Sequence, residues 1–413
     1  MEPSGRPPIR TVFRTQIVVL CLAIFLIDVL AGIIGATFSI FAKDLGATVF
    51  VVGLLTSISG LTALFSSIPI GSLSDHIGRS RVMLGGMVAF TLVMVLFAIA
   101  PSPAFLIPGR LLMGVAGVGS FWIASAYLGD IVTPQERGIA FGLLTTSMGL
   151  GFGVGPLLGG FVADTLGMRW GFMIGAGIGL VAVALVRIFL WEPPRQKTAL
   201  TRPKFSFRDN LRIGADRSLL AISVGSFILS FSFDGAISTL FPLYGKELGL
   251  TTATIGTMFA LRAVASSSIR LPGGALAGRI GSRKLVIVSI LIEATAIAGI
   301  ASTETHKALT LWLMLEGLAF GVFLTSSQAY LAENTVAASR GAAIGFYSMI
   351  GGVGSTVAPM VLGFVGDVAS IPTAFYIGAG FMLAGLAAML LIWFPPAMLR
   401  NQSLTSFPVS HDQ

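Results

Sequence analysis

The chain has 413 residues, of which 54% are hydrophobic and only 11% are charged, and its formal net charge is +8. A soluble domain carries roughly a quarter charged residues, so this chain cannot cover its apolar mass with polar surface, and its solvent is mostly lipid. The basic residues lie in short loops between apolar runs, which is the pattern of membrane topology and argues against nucleic-acid binding.

Cysteine and histidine usage excludes further classes. The one cysteine, Cys21, lies inside an apolar run, so no disulfide framework can form within one chain. The three histidines lie far apart in loops and in the C-terminal tail, at His76, His306 and His411. The sequence therefore predicts neither a metal site nor a cofactor.

Apolar runs of spanning length recur along the whole chain. A spanning helix needs about 20 mostly apolar residues, and lipid leaves the backbone no partner outside a helix or a closed barrel. The runs lack the period-2 alternation of barrel strands, so we predict an all-α membrane protein with twelve transmembrane helices. The predicted helices 1 to 12 cover approximately residues 15–40, 48–71, 82–100, 104–129, 138–162, 170–191, 218–242, 251–274, 285–302, 308–331, 340–363 and 371–394.

The distribution of Lys and Arg predicts the orientation. With the N-terminus inside, the inner segments hold most of the basic residues, and this excess marks the cytoplasmic side. We therefore expect a multi-pass protein of the cytoplasmic (inner) membrane with both termini in the cytoplasm. The basic residues of the outer loops are limited to Lys43, Arg169, Lys246 and Lys307.

One long polar segment, residues 192–217, separates six predicted helices from the other six. It predicts a division into an N-terminal bundle (1–191), a cytoplasmic central loop (192–217) and a C-terminal bundle with its tail (218–413). The loop is basic and is expected either to lie against anionic headgroups or to be a solvated linker. Its stretch KFSFRDNLR could form a short interfacial helix.

The two halves are copies of one another at an offset of 203 residues. Six helices return the chain to its starting side, so the copies are parallel repeats about an axis along the membrane normal, and such repeats place a substrate site between the halves near the midplane. Matched pairs include Lys43/Lys246, Gly53/Gly256, Pro69/Pro272, Tyr127/Tyr330, Arg137/Arg340, Pro156/Pro359 and Asp164/Asp367.

Four motifs carry a family resemblance. Residues 71–81 read GSLSDHIGRSR, and residues 274–284 read GALAGRIGSRK at the matched position. RLLMG begins at Arg110, PQERG at Pro134, and GFGVGPLLGG at Gly151. Together they resemble the signature motifs of the major facilitator superfamily, in particular its drug–proton antiporters, over nearly the whole chain.

The resemblance assigns a conformational latch to the inner loops. In that family the loop acid, here Asp75, contacts the other half and helps to hold the inner side closed; the matched position is Gly278. The alternative is that both loops only anchor the topology. Glycine permits close backbone approach and a positive φ angle, and we expect both at Gly71 and Gly78. The predicted latch residues are Gly71, Asp75, Gly78, Arg79, Arg81, Arg137 and Arg340.

The run in helix 5 predicts close packing and a bend. Small residues let helices approach one another in lipid, and Pro156 removes a backbone donor. In the resembled family this motif is associated with exporters, and that association favours export over uptake. The motif residues are Gly151, Gly155, Pro156, Gly159 and Gly160.

Ionisable residues at membrane depth are functional candidates by default. In the resembled fold helices 1, 4, 7 and 10 line the cavity, so Asp28, Arg110, Asp234 and Glu316 are expected to face it. Glu293 belongs to helix 9, which is peripheral in that fold, so it is not expected to face the cavity, and the sequence leaves its role open.

These charges predict proton coupling. Burial favours the neutral form of a carboxyl and a nearby Arg favours its charged form, so alternating exposure can load and release a proton. Asp28 is the first candidate, followed by Asp234 and Glu316; the alternative is fixed ion pairs, Arg110 with Glu316 or Arg262 with Asp234. The predicted substrate cavity comprises Arg110, Arg262, Phe38, Phe231 and Phe233.

The function predicted from these features is secondary active transport by alternating access. We expect a monomer in the lipid bilayer that exports small hydrophobic or amphipathic compounds in exchange for protons. The alternative transport function is proton symport of a sugar, metabolite or organic anion. No phosphate-binding G-x-x-x-x-G-K-[ST] motif is present. A lipid-modifying membrane enzyme would need a nucleophile, a metal cluster or paired acids near the headgroups. The histidines are too few and too scattered to supply such a site, so the sequence favours a transporter.

Overall fold

The computed structural model describes residues 14–133, 135–192, 216–335 and 340–394. Long helices occupy nearly all of these ranges, and no strand occurs within them. The helices are α1 Thr15–Asp44, α2 Val49–Ile77, α3 Arg79–Ala98, α4 Pro103–Ile131, α5 Arg137–Thr165, α6 Met168–Phe189, α7 Arg217–Glu247, α8 Thr252–Ile280, α9 Ser282–Ala301, α10 His306–Asn334, α11 Arg340–Val368 and α12 Ile371–Trp393.

Within the described residues, eleven of the twelve helices are long and apolar enough to cross a membrane. The exception is α8, which is as long as its neighbours but carries Arg262, Arg270 and Arg279. The all-α membrane fold is thereby confirmed, and the predicted central-loop helix lies outside the described residues. Several helices extend beyond the predicted runs, because their last turns are polar.

The repeat is visible at the helix ends. The side chains of Thr48 and Thr251 cap α2 and α8 by accepting hydrogen bonds from the amides three residues on. In the next pair of turns the chain reverses direction at Gly78 and Gly281. Their φ angles of +114° and +97° are ones that glycine adopts readily and other residues rarely do. Equivalent residues therefore make equivalent turns in the two halves.

Each half packs its six helices in the same way. In the first half α1 lies against α5 and α6, α3 against α4 and α6, and α2 against α4. In the second half α7 lies against α11 and α12, α9 against α10 and α12, and α8 against α10. The two halves meet mainly where α2 packs on α11 and α5 packs on α8.

The halves are close at the end of the bundle that carries the α1–α2 loop and diverge toward the end that carries the α2–α3 loop. Along α2 the buried residues are confined to the first three turns, Val49 to Ser57, apart from Ser74. Several glycines toward the α2–α3 end have open space where a Cβ atom would stand. These glycines are Gly71, Gly138, Gly142, Gly274, Gly278, Gly341 and Gly345.

Two helices contain π-helical segments, Val118–Trp122 in α4 and Phe231–Leu240 in α7. A π-helical turn widens the helix and re-aims the side chains that follow, and such turns are frequent at functional sites. The segment in α7 contains Asp234, one of the predicted proton-coupling residues.

Candidate functional site

The interface between the halves is built on two matched glycine–proline contacts. A Cβ atom on Gly53 of α2 would lie 2.7 Å from the carbonyl carbon of Pro359 in α11. A Cβ atom on Gly256 of α8 would lie 2.9 Å from the carbonyl carbon of Pro156 in α5. Only glycine permits helix backbones to approach this closely.

Two aspartates close the α1–α2 end of the same interface. Asp367 of α11 accepts hydrogen bonds from the backbone amides of Val49 and Phe50, both at 2.8 Å, at the start of α2. Asp164 of α5 accepts them from the first two amides of α8, at 3.0 and 2.7 Å. A carboxylate satisfies the free amides of a helix start and interacts favourably with its dipole.

The glycines of the helix-5 motif form a ladder against α1. They recur every four residues, at Gly151, Gly155 and Gly159, so they share one face of α5. A Cβ atom on Gly151 would lie 2.7 Å from the Cβ atom of Asp28, and the other two glycines lie against the next turns of α1. The motif thus positions the helix that carries Asp28.

Asp28 is a buried carboxyl with an unsatisfied oxygen. Its side chain is 6% exposed, and its Oδ2 atom has no hydrogen-bond partner among the described residues. Within the same part of the chain no basic group lies at ion-pair distance from it. Burying a charge without a partner is costly, so this position suits a group that gains and loses a proton.

Arg110 of α4 is a buried cation surrounded by neutral groups. Its guanidinium lies 3.3 Å from the ring centroid of Phe38, a cation–π contact. Its Nη atoms donate long hydrogen bonds of 3.5 Å to Ser59, Thr56 and the Met113 sulfur. No carboxylate lies at ion-pair distance among the residues that the structure describes.

Arg262 and Glu316 form a two-point ion pair between α8 and α10. The Nε atom bonds to one carboxylate oxygen, and Nη2 donates to the other at 2.6 Å. Both side chains are almost completely buried. The alternative pairings predicted from the sequence, Arg110 with Glu316 and Arg262 with Asp234, are therefore wrong, because Glu316 pairs with Arg262 of α8.

An aromatic cluster crosses the interface beside this ion pair. Phe233 of α7 lies 5.3 Å from Phe320 of α10 and 6.3 Å from Phe152 of α5, measured between ring centroids. Arg262 lies 4.5 Å from the Phe233 ring and 5.0 Å from the Phe320 ring. Sequence reasoning missed two of these rings, although Phe152 follows Gly151 in the motif and Phe320 follows Glu316 by one turn.

Asp234 lies on the π-helical segment of α7, near both the cluster and the interface. The hydroxyl of Ser355 in α11 and the guanidinium of Arg262 both lie within electrostatic reach of its side chain. Thr239 donates a hydrogen bond of 2.6 Å to the Asp234 carbonyl, as the wider π-helical turn requires. Within the described residues, Asp234 thus lies near a hydroxyl and a guanidinium but has no basic group at ion-pair distance.

Glu293, whose role the sequence left open, has a completely buried side chain, at 0% exposure. It lies within electrostatic reach of Glu316 and Arg262. Helix α9 packs on α10 as well as on α12. The second half therefore holds a group of three ionisable residues, Arg262, Glu293 and Glu316.

The other predicted cavity aromatic, Phe231, does not join the cluster. It stacks on Phe381 of α12 with a centroid distance of 4.4 Å and so packs within the second half. Phe38 is buried under Arg110. Of the three predicted phenylalanines, Phe233 alone lies in the aromatic cluster that crosses the halves.

The α2–α3 loop is held together within the first half. Arg79 pairs with Asp75 at 2.9 Å and with Asp130 of α4 at 2.5 Å. Glu192, just after α6, accepts hydrogen bonds from the amides of Arg79 and Ser80 at the start of α3. The loop is therefore a rigid joint between four helices of that half.

The remaining predicted latch residues differ in setting. Gly78 has the expected positive φ, but Gly71 lies inside helix α2 with open space around it, so the close approach expected there is absent. Arg81 and Arg137 are exposed. Arg340 donates a hydrogen bond of 3.0 Å to the Ala332 carbonyl and ties α11 to the end of α10.

The comparisons with known proteins identify the family. The sequence model of the Major Facilitator Superfamily matches residues 20–251 and 222–408, which together span most of the chain. The chain belongs to the Major Facilitator Superfamily. It is therefore a multi-pass membrane transporter, as the motifs predicted.

Curated relatives include named efflux pumps. This facilitator is 27% identical over 332 residues to the multi-drug resistance efflux pump PmrA of Streptococcus pneumoniae, covering 78% of the chain and 82% of that protein. It is 27% identical over 341 residues to the multidrug resistance protein MdtG of Klebsiella pneumoniae, covering 80% and 81%.

Solved structures share the facilitator fold. A bacterial homolog of the human lysosomal transporter Spinster, in an inward-facing and occupied conformation, matches with a TM-score of 0.76 and 17% identity, over 94% of this chain and 96% of that one. The nucleoside transporter NupG matches with a TM-score of 0.78 and 16% identity, over 92% and 100%.

Proposed function

We propose that this facilitator exports small hydrophobic or amphipathic compounds in exchange for protons, and that Asp28 carries the proton. The observation that supports this most directly is the setting of Asp28. It is a buried, incompletely bonded carboxyl seated on the glycine ladder of α5, a helix that also packs on the other half. A movement of the two halves against each other therefore acts on Asp28 directly through α5.

Alternating access follows from the same interface. The glycine–proline contacts and the aspartate caps hold the α1–α2 end closed, while the α2–α3 end is open between the halves. With the predicted orientation, this is a conformation open to the cytoplasm. Rocking the halves about the interface breaks the caps and exposes the opposite side. We propose that the α2–α3 loop with Asp75 then closes the cytoplasmic side.

The aromatic cluster is the proposed contact for the cargo. Phe152, Phe233 and Phe320 come from both halves, so a molecule bound against them touches both rigid bodies. Aromatic walls with few polar groups suit apolar ligands of varied shape. The names of the relatives PmrA and MdtG, both multidrug proteins, support this class of cargo.

The deciding experiment follows a respiration-driven pH gradient in everted membrane vesicles. Lipophilic cations, neutral drugs and organic anions are added in turn, and collapse of the gradient reports proton exchange. We expect collapse with at least one compound in wild type and none with Asp28→Asn. The matched control is Glu304→Gln, which neutralises an exposed carboxyl in the α9–α10 loop and should behave as wild type.

The outcomes separate the parts of the proposal. Collapse that survives Asp28→Asn but is lost in Asp234→Asn or Glu316→Gln moves the proton to that carboxyl. Absence of collapse with every compound contradicts proton-coupled export of these classes. Uptake assays in intact cells then test a second candidate function, proton symport of an organic anion.

The second candidate is proton symport of an organic anion, and Arg110 favours it. This cation is buried without a carboxylate at ion-pair distance in the described chain, so it can accept the anionic group of a cargo. Arg110→Gln should abolish transport of an anion while leaving transport of a neutral compound. An equal loss of anion transport and of neutral-compound transport would mean that Arg110 has a structural role and does not bind the cargo.

A further inference from the structure

Glu293 of α9 is a buried carboxyl to which the proposed mechanism assigns no role. Neither of its oxygens has a hydrogen-bond partner among the described residues. Ser232 of α7, whose hydroxyl is also buried and unsatisfied, lies beside it but outside hydrogen-bonding geometry. Buried polar atoms in native structures are nearly always satisfied, so two unsatisfied groups side by side need a chemical reason.

The charges around Glu293 do not balance. Arg262 gives two hydrogen bonds to Glu316 and is the cation whose charge reaches Glu293. Two carboxylates that share one cation in an apolar interior repel one another. A proton on Glu293 removes the excess charge.

Among the described residues, no other helix packed on α9 supplies a counter-charge to Glu293. Helix α12 carries no charged residue, and its one titratable side chain, Tyr376, is exposed. From α10 the acid Glu316 faces Glu293, and from α8 the cation Arg262 does. The nearest charged group of α7 is another acid, Asp234, which also lies within reach of Arg262.

The repeat shows that the scaffold does not need an acid here. The position matched to Glu293 in the first half is Phe90, which is buried to 1% exposure in the same helix packing. The positions matched to Arg262 and Glu316 are Ser59 and Met113, which both contact Arg110. The acid pair with its arginine is therefore a feature of the second half alone.

We propose that Glu293 is a second proton-binding residue of the transport cycle. It binds a proton from water while Arg262 is bonded to Glu316, and it returns the proton to water in the state in which water reaches both acids and Arg262 turns to lie between them. Arg262 also lies over Phe233 and Phe320, so this turn reshapes the aromatic cluster. The inference rests on the proposed function and adds a proton site to it.

The first test measures protonation without transport. Infrared difference spectra between acid and alkaline pH are recorded on the full-length protein in liposomes for wild type, Glu293→Gln and Glu304→Gln. We expect Glu293→Gln to lose a band of a protonated carboxyl. Glu304→Gln, which removes an exposed acid from the α9–α10 loop, should keep that band. Superimposable spectra of wild type and Glu293→Gln overturn the proposal.

A second variant covers a failure to fold. Glu293→Asp keeps a carboxyl at the same place but shortens its reach by one methylene group, so the band should move in frequency or in titration midpoint. If Glu293→Gln does not assemble and the Glu293→Asp spectrum equals that of wild type, the proposal is overturned as well.

The second test separates a proton site from a structural role. Accumulation of radiolabelled chloramphenicol is measured in proteoliposomes over a series of pH differences, with the membrane potential clamped by potassium and valinomycin. Each coupled proton multiplies the sustained concentration ratio of the drug across the membrane about tenfold for each unit of pH difference. The slope of log accumulation against the pH difference should therefore fall by about one in Glu293→Gln, whereas a structural defect would slow transport without changing the slope.

The slopes also distinguish the two proposals. Transport of chloramphenicol by wild type with a slope of zero contradicts proton coupling of this cargo and so the proposed function, while the infrared result still decides whether Glu293 titrates. A wild-type slope above zero that stays unchanged in Glu293→Gln overturns only the inference about Glu293.

Discussion

Asp164 and Asp367 lie at matched positions of the repeat, and each caps the first turn of a helix in the opposite half. The two caps stand at the α1–α2 end of the bundle, where α5 meets α8 and α11 meets α2. Because both cross the interface, both must break before that end can open. They therefore stabilise one conformation of the cycle and not the other.

Removal of the caps should shift the conformational equilibrium. Loss of a helix cap costs about 1 kcal/mol, which is about a fivefold change in an equilibrium, so Asp164→Ala and Asp367→Ala should each depopulate the closed α1–α2 end by about that factor. Spin labels at the exposed Ile99 and Glu304, in a Cys21→Ser background, report the opening as a longer distance.

Asp216→Ala is the matched control for the caps. Asp216 caps its own helix, α7, by accepting a hydrogen bond of 2.9 Å from the amide of Leu219. Its removal should cost similar stability and leave the label distance unchanged. An equal shift in the control would contradict a specific role for the crossing caps.

The glycine ladder should not tolerate even a methyl group. A Cβ atom on Gly155 would lie 2.8 Å from the Cα atom of Gly32 in α1, so the helices must separate. Gly155→Ala should lower stability by about 1–3 kcal/mol, as overpacking does, and should impair transport. Thermal unfolding of the purified protein measures the first effect.

Gly142→Ala provides the comparison on the same helix. Nothing described lies within 4 Å of a Cβ atom at Gly142, so alanine should only gain helix propensity, about 0.5–1 kcal/mol. Similar unfolding temperatures for the two variants would argue against the ladder.

The contact between Gly256 and Pro156 should control opening in the same way as the caps. A methyl group at Gly256 meets the Pro156 carbonyl, so Gly256→Ala should push α8 away from α5 at the closed end. We expect a longer distance between the spin labels and a lower transport rate. Gly274→Ala, on the same helix in open space, should leave both values unchanged.

The ion pair of Arg262 should be replaceable in part by Glu293. Leaving a buried charge unpaired costs about 3–5 kcal/mol, but in Glu316→Gln the guanidinium can still turn to Glu293. We expect the double variant Glu316→Gln with Glu293→Gln to lose more stability than the two single variants together. Additive losses in thermal unfolding would contradict a shared arginine.

Those features of the site that lie within a single helix could be predicted from the sequence. The small residues of the helix-5 motif predicted close packing, and the repeat matched Gly53 with Gly256. Neither pattern names the partner helix. That α1 lies on the ladder, and that Pro156 and Pro359 receive the two glycines, depends on the arrangement of both bundles.

Charged residues were harder to assign, because a pairing depends on rotation about helix axes. Glu316 could be matched by depth with Arg110, but the structure turns it toward Arg262 of α8. Glu293 was set aside because its helix is peripheral, although one face of a peripheral helix still packs inward.

The sequence by itself determined the helices, the repeat and the family, since these follow from local hydrophobicity, spacing and motifs that each lie within a short stretch of chain. The tertiary structure decided which buried charges meet. A salt bridge or a lone carboxyl is set by a few ångströms between helices distant in the chain, and no local pattern records that distance.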